Sequence, residues 1–365
     1  MTLLVPDLGS VTYYVPSIPD IPGTARYQHA LAITNHADVS KIISNEEIPE
    51  TIRDKANQHS TIPDSSALSK AHSASSEFKK NPSDLFFTTF HYETAVAGML
   101  ATSRNENSQW IVDVYDSPVQ YRLNSPWSHH SIGSRVLEQL LGFANHAIIT
   151  GHPQNPGRYG NHRSYLDNGT PVDLIRPDFE KGDRLRVVWV GSPRMDRGGQ
   201  LLVDALHQTK TSVNIDVYGE KHSQLESGIQ NIPDKHKATH HGKKPYGECL
   251  EAVSRSDVGY CVLPARSDWL YAHPIKLGEY LAGGTVPIAS NFPGMMQVGG
   301  KAAYYVSPDA KQIATALDEI SSLPEETYVN LAKCGRSRAE SRSWSQVRSQ
   351  LATQLSVAQT GVHSN

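Results

Sequence analysis

The sequence predicts an α/β protein built from two open, mostly parallel sheets in tandem. Three observations carry this. At 365 residues the chain exceeds what a single hydrophobic core usually supports. Short apolar runs alternate with helical patterns from end to end, as the strands and crossover helices of parallel sheets do. The pattern also restarts near Asp178, where the turn-rich LDNGTPVDLIRP and the polar FEKGDR read as an interdomain linker.

In the first half, strands are predicted at 11–17 (VTYYVPS), 39–45 (VSKIISN), 84–90 (DLFFTTF), 110–116 (WIVDVYD) and 146–151 (HAIITG), β-branched and aromatic runs bounded by turn residues. YETAVAGMLATS and SIGSRVLEQLLGFANH carry helical periodicity between them. Residues 46–82 are polar and rich in Ser and Lys, and read as a mobile excursion of which only part is helical. The second half offers strands at 186–191, 213–219, 258–264, 286–290 and 302–306, with helices at 198–208, 246–256, 274–283 and 309–321. The last helical stretch, AESRSWSQVRSQLATQL, spaces Trp344, Val347 and Leu351 at i, i+3 and i+7, an apolar stripe that needs a surface to cover. The domains are therefore drawn at 1–177 and 178–342, with a terminal helix and tail at 343–365. Two such sheets facing across a cleft bind ligands outside the carboxyl ends of their strands.

Composition narrows the function classes. A net charge of −3, from 34 basic and 37 acidic residues, gives no footprint for a nucleic-acid backbone. Three scattered cysteines support neither a disulfide framework nor a zinc site. The first residues lack a basic region followed by an apolar run, and no later segment is long and apolar enough to span a bilayer. A soluble protein of a reducing compartment is expected, cytoplasmic or at the inner face of a membrane, with peripheral membrane contact left open. Among 17 histidines the adjacent pairs are His129–His130 and His240–His241, but neighbours on a helix diverge and no HExxH spacing occurs, so no metal site is expected.

The segment from Ser267 to Ser290, SDWLYAHPIKLGEYLAGGTVPIAS, reads as a turn, a helix and a buried strand. Pro274 suits the first helical position, since its fixed φ is preset and the N–H it lacks would be unpaired there. Lys276 then falls in the first turn, where the helix dipole disfavours a cation unless an anion binds between it and the free backbone N–H groups. Glu279, three residues on, projects from the same face. A solvated i,i+3 ion pair is the competing reading. The turn after the strand at 186–191 reads GSPRMDRGG: Gly191 ends the strand, and Arg197 precedes Gly198, where the next helix opens. Glycine permits close backbone approach and arginine can grip a diphosphate through two N–H groups.

VGSPRMDRG resembles the strand-loop-helix of family 4 glycosyltransferases of the GT-B fold, and AHPIKLGEYLAGGTVPIAS resembles that family's donor-site helix. The resemblance covers roughly 84–358 and is strongest over 184–307. It implies two tandem Rossmann-like domains, a C-terminal helix returning to the N-terminal domain, a nucleoside-diphosphate sugar held by the C-terminal domain and an acceptor held by the N-terminal one. Carried over, Arg197 and Lys276 meet the diphosphate and Glu279 the ribose. Gly191, Ser192, Arg194 and Gly198 complete the loop, and the backbone from His273 through Pro274 and Ile275 to Lys276 serves the sugar and phosphates. Ser192 stands where the family has an arginine, leaving Arg194 to reach in or one contact to be lost. Tyr271 replaces a glutamate that meets the transferred sugar. On the acceptor side the resemblance implies Gly23 and Arg26 after the first strand, His91 at a strand-to-helix junction, and Tyr115 and Asp116 in VDVYDSP, where Tyr115 stands in for a histidine. Asp113 and Asp116 also suit strand-end capping. The groups expected around the reacting atoms are His91, Asp116, Arg197 and Lys276.

The implied activity is sugar transfer with retention of anomeric configuration to a glycan, lipid-linked or other acceptor, with no metal or other cofactor required. The alternative is a non-catalytic nucleotide- or carbohydrate-binding protein on the same scaffold. A dinucleotide-dependent oxidoreductase is disfavoured, because the glycines at 191, 198 and 199 do not form a GxGxxG.

Overall fold

The computed structural model describes residues 8–103, 107–115, 129–154, 157, 159–266 and 269–360. It divides into two compact units, one of Met1–Asn168 with Trp344–Asn365 and the other of Gly169–Ser343.

In the first unit the strands are β1 (Leu8–Tyr14), β2 (Ala37–Ser44), β3 (Gln58–Thr61), β4 (Leu85–Thr89), β5 (Gln109–Val114), β6 (His146–Thr150) and β7 (His162–Leu166). They form one parallel sheet in the order β3-β2-β1-β4-β5-β6-β7. The helices are α1 (Ala25–His36), α2 (Glu50–Arg53), α3 (Ala67–Lys80), α4 (Tyr92–Thr102) and α5 (His129–Leu141). The order reverses between β1 and β4, the topological switch point where loops from both strands leave the same edge.

The stretch 46–82 is no mobile excursion. It supplies α2, the edge strand β3 and the whole of α3, whose Ala71, Ala74 and Phe78 are fully buried against Ile43 and Phe86. Its apolar stripe is made of alanines, which carry little hydrophobic signal, and Ser66 caps its first turn by accepting from the Ser69 N–H. The strands that the pattern missed, β3, β7 and later β10, are all polar edges (QHST, HRSYL, KATHHG). An edge strand packs fewer neighbours and needs no apolar alternation.

In the second unit the strands are β8 (Leu185–Gly191), β9 (Val213–Gly219), β10 (Lys237–Gly242), β11 (Val258–Cys261), β12 (Val286–Ser290) and β13 (Tyr304–Val306). The sheet is again parallel, in the order β10-β9-β8-β11-β12-β13. Helices α6 (Gly199–Leu206), α7 (Ser223–Gln230), α8 (Tyr246–Ser254), α9 (Ile275–Gly283), α10 (Pro293–Gly299), α11 (Ala310–Ser322) and α12 (Glu325–Glu340) complete it. One face buries Val187, Trp189, Ile215, Val217 and Ile288, and the other Val188, Val190, Cys261, Leu277 and Tyr280. This alternation is what a strand covered on both sides requires.

At the switch point β8 and β11 pair only through Val187–Val258 and Val188–Gly259. Beyond that the strands splay, and the Tyr280 hydroxyl fills the gap. It accepts from the Val190 N–H at 3.1 Å and donates to the Tyr260 carbonyl at 3.2 Å. Its ring lies where a side chain on Gly259 would stand. Helix α9 is thereby tied to the two strands that frame the switch point.

The last helix, α13 (Trp344–Thr360), belongs to the first unit. Trp344, Val347, Leu351 and Leu355 are buried in one cluster with Ala30 and Ile33 of α1, and Arg348 donates to the Gln28 side chain. Among the described residues no helix is long and apolar enough to cross a membrane.

Candidate functional site

Helix α9 begins at Ile275, one residue later than the sequence predicts, because Pro274 has an extended ψ of 122° and occupies the N-cap. A proline at the cap offers neither a side-chain acceptor nor an N–H. The first turn carries no acidic residue and its N-cap residue makes no side-chain cap, so this positive helix end favours a negative partner. Into this positive end the sequence puts Lys276. Burial pushes its ammonium below the ordinary lysine range, with the Arg197 guanidinium also pushing down against the upward pull of Cys261 and Glu279. Lys276 Nζ lies 5.8 Å from the centroid of the Trp189 ring. The Arg197 guanidinium lies 5.9 Å from that of Trp269. Neither cation makes an ion pair among the described residues. Two cations and a bare helix N-terminus repel one another unless an anion joins them.

The loop that brings Arg197 there is set by backbone conformation. Gly191 leaves β8 at φ 112°, and Met195–Arg197 makes one turn of 3-10 helix that closes on Gly198 at φ 102°. A Cβ on Gly198 would sit 2.1 Å from the Val262 carbonyl oxygen, and Tyr260 donates to the Gly198 carbonyl at 2.7 Å. Arg194 does not reach in to stand for the arginine that Ser192 lacks. Its guanidinium is held by Asp196 through two hydrogen bonds, at 2.9 and 3.1 Å. The loop before α9 is fixed from below: the Gly294 N–H donates to the Leu270 carbonyl, and any Cβ on Gly294 would strike the backbone of Tyr271 and Ala272. His273 is buried in this loop.

Glu279 lies one turn beyond Lys276 and is 7% exposed. Its Oε1 accepts a 2.6 Å hydrogen bond from the Tyr246 hydroxyl of α8. Burial pushes this carboxyl up, against the Tyr246 hydrogen bond and the Lys276 charge that pull it down. Sequence reasoning missed Tyr246, Trp189 and Trp269. An aromatic carries no sequence signal of what it stacks on or bonds to until the fold brings the partner.

In the first unit the structure gathers Arg26, His91 and Tyr115 from three elements. Arg26, in the first turn of α1, donates to the carbonyl and hydroxyl of Ser17, and its guanidinium lies 5.9 Å from the Tyr115 ring centroid. Tyr115 meets Phe90 edge to face at 4.7 Å, with the His91 ring 6.2 Å away. His91 is the N-cap residue of α4, and burial pushes its imidazole down, toward the neutral form. Gly23 is buried in the turn before α1. Asp116 lies outside the described residues.

Asp113 is not a strand-end cap. It sits within β5, fully buried, and its Oδ2 is 2.8 Å from His29 Nδ1 of α1, itself 1% exposed. Asp113 Oδ1, His29 Nε2 and the Tyr13 hydroxyl find no hydrogen-bond partner among the described residues. This polar contact pins α1, and with it Arg26, to the sheet. His29→Leu would leave a buried carboxyl without its partner and is expected to cost about 1–3 kcal/mol. A lower urea midpoint at unchanged slope would report it.

The two members of the His240–His241 pair turn to different partners. His240 faces Glu226, while His241 pairs with Asp216 at 2.6 Å and stacks on Tyr218. The side chains of His129 and His130 lie outside the described residues. Among the described residues no cluster of three or more His, Cys, Asp or Glu side chains is placed to hold a metal ion.

Residues 173–338, nearly all of the second unit, match the family model described as glycosyl transferases group 1. No curated protein matches the sequence significantly. Among solved structures, sucrose-phosphate synthase from Thermosynechococcus elongatus is 18% identical at a TM-score of 0.75, over 97% of this chain and 100% of that one. Anabaena Alr3699/HepE, crystallised with UDP and glucose, is 14% identical at a TM-score of 0.72, over 95% and 99%. A glycosyltransferase from Rickettsia africae ESF-5 is 15% identical at 0.71, over 97% and 98%. At such identities the likeness establishes the fold, two Rossmann-like domains of the GT-B class.

Proposed function

We propose that the protein is a glycosyltransferase that moves a sugar from a nucleoside diphosphate to a glycan or lipid-linked acceptor, with retention of configuration as in family 4. The observation that carries this is the N-terminus of α9, which its N-cap residue leaves without a side-chain cap and where Lys276 and Arg197 act on one another with no ion pair among the described residues, Glu279 following one turn later. The match of the second unit to the glycosyltransferase model supports the reading, as does the binding of UDP and UDP-glucose by HepE.

On this reading the diphosphate lies between Lys276, Arg197 and the α9 N–H groups, and Glu279 holds the ribose. As the bond from the anomeric carbon to the diphosphate breaks, its electron pair passes to the phosphate oxygen. The two cations and the helix terminus stabilise that charge, so no metal ion is required. The acceptor oxygen attacks from the face that the diphosphate leaves, and the departing phosphate takes its proton. Arg26, His91 and Tyr115 line the acceptor side.

A binder without turnover is the second reading, favoured by the engagement of Arg194 with Asp196 and by Tyr271 in place of a carboxylate. Release of nucleoside diphosphate from a panel of nucleotide sugars, without acceptor, separates the two. Turnover abolished by a Lys276 substitution supports the enzyme, and tight binding with no release supports the binder. Glu279→Ala is expected to weaken nucleoside diphosphate binding by about 1.5–3 kcal/mol, the worth of a hydrogen bond to a charged group, as read by calorimetry.

A further inference from the structure

Glu279 is a nearly buried carboxylate that hydrogen-bonds a single side chain among the described residues. Tyr246 donates to Oε1 at 2.6 Å, and Oε2 receives no hydrogen bond among the described residues. The donor is rigidly placed. Tyr246 is the first residue of α8, set by the extended Pro245 at its N-cap. Its ring packs against the buried cluster of Val172, Ile175, Leu250, Leu281 and Ala282. Burial and the neighbouring carboxylate push the phenol far above its ordinary range, so it keeps its proton and donates only.

A ribose presents two adjacent hydroxyls, and a carboxylate receives both best when its plane is held still. A lone glutamate rotates about its last torsion and loses that freedom on binding. We propose that Tyr246 is a positioning residue that locks the Glu279 carboxylate, turning Oε2 and the remaining lone pair of Oε1 toward the ribose diol. Discrimination for a complete ribose then depends on Tyr246, a residue that touches no substrate. The inference rests on the reading of Glu279 as the ribose ligand.

The test is calorimetric titration of the full chain and of Tyr246→Phe and Glu279→Ala with UDP, GDP and ADP, each beside its 2′,3′-dideoxy form. The Phe ring retains the packing, and thermal unfolding without nucleotide checks that it does. The protein is expected to prefer one ribonucleotide over its dideoxy form. Tyr246→Phe should weaken the ribonucleotide about tenfold, barely change the dideoxy form, and so shrink the preference. A general loosening of the site would instead weaken both forms equally, and that result overturns the inference. If Glu279→Ala abolishes the preference while Tyr246→Phe keeps it, the ribose site stands and Tyr246 has no part in it. If Glu279→Ala leaves the preference unchanged, or no nucleotide binds, the donor reading fails as well.

Discussion

Lys276→Met is expected to lower kcat/KM for the nucleotide-sugar donor by about 10²–10³, or about 2.7–4 kcal/mol, the usual cost of removing one preorganised group that meets developing charge. The size follows from the setting. Lys276 stands at a helix N-terminus beside Arg197, and burial has already moved its ammonium below the ordinary lysine range. The cation is therefore held at an electrostatic cost that a bound diphosphate removes. Its sign gives a pH prediction: only the protonated amine attracts the diphosphate, so donor affinity is full below the Lys276 pKa of the free protein. It falls as pH rises through that value, earlier than an ordinary lysine at about 10.4 would allow. In Lys276→Met this alkaline fall should vanish from a profile of donor KM against pH. Methionine is expected to keep the apolar stem beside the buried Trp189, so a stability loss should not account for the drop.

Gly198→Ala is expected to destabilise the second unit by about 2–5 kcal/mol and to displace Arg197, with donor binding lost in the molecules that still fold. The backbone at φ 102° is one that side chains rarely adopt, and the methyl would lie 2.1 Å from the Val262 carbonyl oxygen. Relief requires the loop to move away from β11 and break the Tyr260 bond to the Gly198 carbonyl. Gly191→Ala is the control. Its φ of 112° is equally strained, but a Cβ there meets nothing within 4 Å. A smaller loss in chemical denaturation, near the strain alone, is expected there.

The buried strands were legible because parallel sheets demand continuous apolar runs. RVVWVG and VPIAS lie within the residues of β8 and β12. Polar edge strands and the alanine-lined α3 left no such trace. At the site, Lys276 and Glu279 were legible as one-turn neighbours because helical spacing is local. Tyr246 lies 33 residues from Glu279 and His29 lies 84 from Asp113. Pairs so separated become visible only when the topology has brought their elements together. Arg194 shows the converse: its sequence position suits a ligand, but Asp196 two residues away claims both arms of its guanidinium.

The central claim is that α9 and the Gly191–Gly198 loop hold a nucleoside diphosphate. Thermal unfolding of the full chain with UDP, GDP and ADP tests it most directly, because a ligand at 100 times its dissociation constant adds about 2.7 kcal/mol of stability. The account predicts a raised midpoint with at least one of the three, lost in the Lys276→Met, Glu279→Ala double variant. A midpoint that none of them moves, or a shift that the double variant retains in full, would contradict it.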